Sequence, residues 1–305
     1  MKKLTYLLIA CLSMISCRLE EEPKERIGPL NVVTTTGIIE DGLSNIVGSE
    51  CEVTSLMGPG TDPHIYKPTP GDIEILDEAD VIISNGLHLE GKMAEMLTKY
   101  GKQKPVIFMS DGIEEKEIIK SADFEDADDP HFWFDTKMWM QGLIYVTDEL
   151  GKIEPESDSV FQKNLLAYEK ELIKLDKWVT RQLNTLDKES RVLVTSHDAF
   201  SYFGHKYNIE VKGIQGISTL SEVGLKEIAD MVDFVIERKI KAIFVETSTS
   251  NKTAQSIVDG CEAKGYRVEL KGPLYSDALG EPDGDAGTYL GMVKANVNAI
   301  VAGLK

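Results

Sequence analysis

A chain of 305 residues with 42% hydrophobic content exceeds the usual single-domain size and can bury two cores, which excludes a disordered polymer. Its net charge of −18 excludes ordinary nucleic-acid binding, because displacing counterions from phosphates needs a basic footprint. An acidic surface is compatible with attracting cations and otherwise serves solubility.

The chain opens with Lys2 and Lys3, followed by a mostly apolar run from Leu4 to Ile15. That run is too short for a permanent membrane span and reads as an export signal. Ser16-Cys17 then resembles a bacterial lipobox, so residues 1–17 are expected to be a lipoprotein signal with Cys17 lipidated. The competing "LIAC" ending at Cys11 is closer to the usual lipobox but leaves a minimal apolar region, and an ordinary secretory signal is the remaining reading. Residues 18–28, "RLEEEPKERIG", are charged, contain Pro23 and have no apolar pattern, which suits a solvated tether. The predicted location is therefore the cell envelope, with the body exported and held to the membrane by its N-terminal lipid.

The runs "LNVVTTT", "CEVTSLM", "DVIISNG" and "PVIFMS" read as strands, separated by helical segments such as "PGDIEILDEA" and "LEGKMAEMLTKYG". The scheme returns later with "RVLVTS", "IEVKGI", "KAIFVET" and "RVELKG", separated by "GLKEIADMVDFVIERK" and "TAQSIVDGCEAKG". Such alternation predicts α/β architecture, with a parallel four-stranded sheet flanked by helices in each of two lobes. The expected lobes are residues 29–154 and 189–305. Cys51 and Cys261 fall in different lobes, so no disulfide between them is expected, and no CxxC or Cys/His cluster suggests a thiolate metal site.

Between the lobes, residues 155–188 are expected to form one long connecting helix. Phe161, Leu165, Tyr168, Leu172, Leu175, Val179, Leu183 and Leu186 step by three or four residues, placing an apolar stripe on one face. A helix of that length can run along both lobes. A coiled-coil dimer is the weaker alternative, because the flanking charges are unsystematic, and a monomer is expected.

Asp-Pro-His occurs twice, at Asp62-Pro63-His64 and Asp129-Pro130-His131, in a chain with five histidines. Aspartate is a good helix N-cap and proline suits the first helical position, so both tripeptides are predicted to open helices with the histidine in the first turn. His197 directly follows the strand "RVLVTS", and Asp277 follows "RVELKG" in "GPLYSDALG". All four lie at the carboxyl ends of predicted strands or at helix starts, where open α/β sheets bind ligands. Two come from each lobe, so a site between the lobes is the economical geometry. Three imidazoles and one carboxylate suit a divalent transition ion, with nitrogen donors favouring zinc and the oxygen admitting manganese. Asp135, four residues after His131, and Asp198, beside His197, are candidates to accept a histidine's second N–H. Glu246, ending "KAIFVE", is a further ligand or a hydrogen-bonded neighbour. His88 and His205 read as a loop residue and a surface residue.

On the blocks "PGTDPHIYKPTPGDIEILDEADVIISNGLHLE", "DPHFWFDTKMW", "VLVTSHDAFSYFGHKYNIEVKGIQGIST", "KAIFVETS" and "LYSDALG", the chain resembles the TroA-like family, the zinc/manganese solute-binding lipoproteins of bacterial ABC importers. The resemblance covers nearly everything after the tether. It implies a two-lobe receptor with a rigid connecting helix that binds one Zn²⁺ or Mn²⁺ and delivers it to an ABC permease, without enzymatic activity. Its four ligands correspond to His64, His131, His197 and Asp277. Some members have glutamate at the third position; histidine here resembles those associated with zinc or with both metals. The segment before His131 is acidic, "DGIEEKEIIKSADFEDADD", where many dedicated zinc receptors carry a histidine-rich loop. A zinc hydrolase using the same histidines, with Glu246 or Asp277 as base, and a surface adhesin are the rival readings.

Overall fold

The structure, a computed structural model, describes residues 28–121 and 127–305. The expected signal, the lipidation candidates Cys11 and Cys17, and nearly all of the tether lie outside the described residues.

Every predicted strand forms. In the first lobe β1 (Leu30–Thr36), β2 (Cys51–Met57), β3 (Val81–Ser84) and β4 (Val106–Phe108) make a parallel sheet in the order β2-β1-β3-β4. In the second, β5 (Val192–His197), β6 (Glu210–Gln215), β7 (Ala242–Glu246) and β8 (Glu269–Leu274) repeat it as β6-β5-β7-β8. β3 and β5 are buried along their whole length, which suits the apolar triplets Val81–Ile83 and Val192–Val194 that open them. In both sheets the order reverses beside the first strand, so the two crevices at the carboxyl edges are equivalent places for a ligand.

The helices are α1 (Gly37–Val47), α2 (Pro70–Glu78), α3 (Ala94–Tyr100), α4 (Thr136–Ile153), α5 (Asp158–Leu183), α6 (Ser201–Tyr207), α7 (Leu225–Glu237), α8 (Lys252–Ala263) and α9 (Tyr289–Leu304). α2 starts at a capping box in which Thr69 and Asp72 exchange hydrogen bonds, with Pro70 in the first turn. α1 and α9 were not signalled by the sequence patterns. β1 runs straight into α1, with Thr36 serving as both last strand residue and N-cap, so no turn residue marks the junction.

α5 spans 26 residues, about 39 Å at about 1.5 Å per residue. Its buried residues are the predicted stripe from Phe161 to Leu183; Leu186 is buried just beyond the helix, and Pro155 sits in the preceding turn. The stripe packs against α1 and α4 of the first lobe and α9 of the second. The main core is consequently continuous across the lobes, joining Leu43 and Trp139 to Tyr289 and Ile300 through α5. Tyr289 stacks on Trp139 with centroids 5.0 Å apart, and its backbone N–H donates to Asp41 at 2.8 Å. Cys51 lies on β2 and Cys261 on α8, in separate lobes.

The two Asp-Pro-His tripeptides do not open α-helices. Asp62-Pro63-His64 occupies a turn, and His131 precedes a single 3-10 turn, Phe132–Phe134, before α4 begins at Thr136. Each aspartate instead accepts a hydrogen bond from the backbone N–H of its own histidine two residues on, at 2.9 Å in both cases. Asp-Pro-His is thus one device used twice, but the device is an Asx turn rather than a helix cap.

Candidate metal centre

The carboxyl edges of the two sheets face each other, and His64, His131, His197 and Asp277 meet between them. His197 is the last residue of β5, His64 lies in the loop after β2, and Asp277 follows β8. All four are at most 2% exposed. One donor atom from each lies within 4.8 Å of the other three.

The close contacts have the dimensions of a coordination shell. His64 Nε2 and His131 Nε2 are 3.3 Å apart, His131 Nε2 and Asp277 Oδ1 3.5 Å, and His197 Nε2 and Asp277 Oδ2 3.4 Å. Four donors set tetrahedrally at about 2.0–2.1 Å from one zinc ion would be spaced by about 3.3–3.4 Å. His197 Nε2 and Asp277 Oδ1 are buried without a hydrogen-bond partner among the described residues. Such orphaned polar atoms destabilise a fold unless something occupies the space they face, and a cation satisfies both.

Two carboxylates aim the rings. Asp129 Oδ1 lies 2.7 Å from His131 Nδ1, and Glu246 Oε2 lies 2.5 Å from His197 Nδ1. Glu246 Oε1 also accepts from the His197 backbone N–H at 3.0 Å. With Nδ1 held as donor, Nε2 is left for an ion, and the carboxylate raises the basicity of the ring. Glu246 is therefore the neighbour of a candidate ligand, with both oxygens engaged, rather than a fifth ligand.

Electrostatics follow from this crowding. Burial alone would lower the His131 pKa, but the charge and hydrogen bond of Asp129, with Asp277 adding to them, push it up to about 9. His197 is buried in the same way and is raised well above the ordinary value by Glu246 and Asp277. Burial would raise Asp277, yet His197 and His131 hold it well below the usual carboxylate range. Among the described residues no carboxylate is hydrogen-bonded to the His64 ring; burial, with the neighbouring imidazoles against the pull of Asp277, lowers it to about 3.

Two expected partners are elsewhere. Asp135 caps α4 by accepting from the Lys137 N–H at 2.8 Å and pairs with Lys206 of α6 at 2.5 Å. The spacing of four from His131 would have placed it on the same face only of an α-helix; the intervening 3-10 turn removes that relation. Asp198 accepts from Ser201 Oγ at 2.7 Å. Its place beside His197 is taken by Glu246, because β5 and β7 are paired neighbours whose ends lie side by side. His88 and His205 are both exposed, in a loop and on α6.

Sequence reasoning missed three contributors. Sequence patterns predict Asp129 as a helix cap, whereas it contacts the ring of His131, and its place in the second Asp-Pro-His is the signal that points there. Asn85 donates from Nδ2 to the Pro130 carbonyl at 3.0 Å, fixing the backbone just before His131. Ser248 donates to Asp277 Oδ2 at 3.2 Å. Asn85 and Ser248 lie in blocks that carry the family resemblance, but neither belongs to a local pattern that assigns it a role.

The profile of the family described as zinc-uptake complex component A, periplasmic, matches residues 32–303. Among curated proteins, the manganese-binding lipoprotein MntA of Bacillus subtilis (strain 168) is 41% identical over 298 residues, covering 98% of this chain and 97% of the relative. The zinc-binding protein TroA of Treponema pallidum (strain Nichols) is 42% identical over 274 residues, covering 90% and 88%. The solved structure of the periplasmic zinc binding protein TroA from Treponema pallidum superposes with a TM-score of 0.88 at 42% identity, covering 91% of this chain and 99% of that one. A profile match over nearly the whole described body, relatives above 40% identity and the shared two-lobe fold place this chain in the family of the periplasmic zinc-uptake component A, the TroA-like solute-binding proteins.

Proposed function

We propose that this protein captures a single divalent ion, zinc or manganese, between its lobes and delivers it to the permease of an ABC importer. The observation that carries this reading is the convergence of four inward-facing donors, His64, His131, His197 and Asp277, contributed by both lobes and buried from solvent. Relatives named for manganese binding and for zinc binding, both above 40% identity, support both ions as cargo. The ion is a passenger here, and the protein's work is to strip its water, hold it and present it.

The nitrogen-rich donor set favours zinc by intrinsic affinity, so selection of manganese would depend on geometry or availability. Relatives named as lipoproteins support export and lipid attachment at the envelope, here through Cys17, and the same reading takes the protein as a monomer. Among the described residues no helix is long and apolar enough to cross a membrane. The domain reading that goes with this function is a first lobe of 29–154, a connecting helix within 155–188 and a second lobe of 189–305. A hydrolytic use of the same histidines is disfavoured because Asp277 fills the fourth position that a catalytic water needs. Glu246, the alternative base, has both oxygens engaged by His197.

Calorimetric titration of the ion-free protein with Zn²⁺ and with Mn²⁺, beside the His131→Ala variant, tests the reading. One ion bound per chain by the native protein, with affinity lost in the variant by at least about 100-fold, is expected. Equal binding by both proteins would overturn the assigned site.

A further inference from the structure

Two buried side chains cross between the lobes and end on backbone carbonyls beside candidate ligands. Tyr202, on α6 of the second lobe, donates from its hydroxyl to the Asp129 carbonyl of the first lobe at 2.9 Å. The same oxygen accepts from the Ile119 N–H at 3.1 Å, and the Asp129 N–H donates to the Ile119 carbonyl at 2.9 Å. A phenol has one proton to give, so its donor and acceptor roles are both filled by first-lobe backbone. Trp133, in the 3-10 turn of the first lobe, donates from Nε1 to the Ser276 carbonyl of the second lobe at 3.1 Å.

Each hold acts one step away from a donor. Asp129 aims the His131 ring through its carboxylate and accepts the His131 backbone N–H, so the backbone position of Asp129 sets the ring. The Ser276 carbonyl belongs to the planar peptide unit that carries the Asp277 N–H, so holding that carbonyl fixes where the Asp277 side chain starts. The surroundings are packed on both sides. Trp133 lies edge-on to His131 with centroids 5.1 Å apart, its own carbonyl accepts from the Tyr289 hydroxyl of α9 at 2.7 Å, and Phe134 stacks on Phe200 at 4.3 Å.

We infer that Tyr202 and Trp133 are reciprocal positioning residues, each fixing from one lobe the backbone that presents a ligand of the other. This rests on the ion-capture reading of His64, His131, His197 and Asp277. Neither side chain is among those four donors. Donors already held in place lose less freedom when an ion arrives, so each hold contributes affinity by preorganisation. Because the holds cross, sliding one lobe against the other moves a first-lobe and a second-lobe ligand at once.

The test uses the ion-free protein, its Tyr202→Phe and Trp133→Phe variants, and Tyr207→Phe as a matched control. Tyr207 is also buried on α6, but its hydroxyl donates at 2.8 Å to Asp176 of α5, a helix that carries no donor. Co²⁺ is the spectroscopic probe, because its visible spectrum reports ligand number and geometry, and Zn²⁺ affinity is measured by competition with a chelator. Tyr202→Phe and Trp133→Phe should each alter the Co²⁺ spectrum and weaken Zn²⁺ binding by about tenfold, the lower end of losses when an outer partner of a ligand is removed. Tyr207→Phe should leave both readouts native, even where it lowers the melting temperature. Thermal melts of the ion-free variants identify any change that comes from unfolding, and Tyr202→Phe, which removes only a hydroxyl, provides an independent arm if Trp133→Phe fails to fold. A native spectrum and affinity in folded Tyr202→Phe would overturn the positioning role while leaving capture intact, as would a Tyr207→Phe variant that alters both readouts equally. A native protein that binds neither ion would overturn the capture reading, and the inference with it.

Discussion

At His131 and His197 a carboxylate behind each ring and another in front of it draw protons onto groups that a metal ion needs bare. His131 is pushed to about 9, so without cargo that ring is protonated around neutrality, and the Glu246 and Asp277 carboxylates shift His197 in the same direction. Capture must therefore release protons, and affinity should rise with pH toward about 9, by about tenfold per pH unit for each proton displaced. Titrations in buffers of different ionisation enthalpy count those protons; an affinity that is flat between about pH 6 and pH 8 would contradict the assignment. The ion-free fold responds oppositely. Because the folded pKa of His131 lies above the unfolded value of about 6.5, its contribution is fully present below that pH and is lost as pH rises through about 9. The histidines themselves were legible, since Asp-Pro-His repeats and His197 ends an obvious strand. Their supporting carboxylates were legible only in part: Glu246 is expected as a hydrogen-bonded neighbour, with its partner His197 supplied by the paired strand, whereas the spacing of Asp135 fits an α-helix and the segment folds as a 3-10 turn.

Among the elements, α5 is the one whose pattern translated most directly into structure. Its three-and-four spacing has a single packing solution, an apolar stripe laid on helices of both lobes, and every buried residue of the helix belongs to that stripe. Leu172 sits near its middle at 2% exposure. Leu172→Ala should destabilise the ion-free protein by about 2–5 kcal/mol, read as a lowered urea midpoint, with one ion still bound per chain. A midpoint unchanged from native would mean that the stripe does not carry the fold. The strands were equally legible because β-branched runs bounded by Gly, Pro and Asp have few alternatives. α1 escaped notice because Thr36 closes β1 and caps the helix at once, leaving no punctuation between them.

For the whole molecule, the continuous core sets the scale of motion. The stripe of α5, the Trp139–Tyr289 stack and the Asp41 to Tyr289 hydrogen bond all join the lobes. Thr219 of the second lobe donates to Asp62 Oδ2 at 2.6 Å, beside the turn that presents His64. Opening the cleft widely would tear this packing, so ion release should proceed by small sliding rather than by hinge rotation. The scattering radius of gyration, about 19 Å for a compact chain of this size, should change by no more than about 1 Å between ion-free and loaded protein. A change of several ångströms would refute the shared-core account.

The sequence by itself determined the two α/β lobes and the helix joining them, because both are written in local periodicity, and it named the four candidate donors through the repeated Asp-Pro-His, the ends of the strands and the family resemblance. The tertiary structure alone decided how those donors are held. Register between β5 and β7 brought Glu246 to His197, the Asx turn turned Asp129 onto the ring of its own histidine, and the β7–β8 pairing carried Ser248 to Asp277. These contacts join residues whose proximity depends on strand alignment and turn geometry, and no local pattern encodes either one.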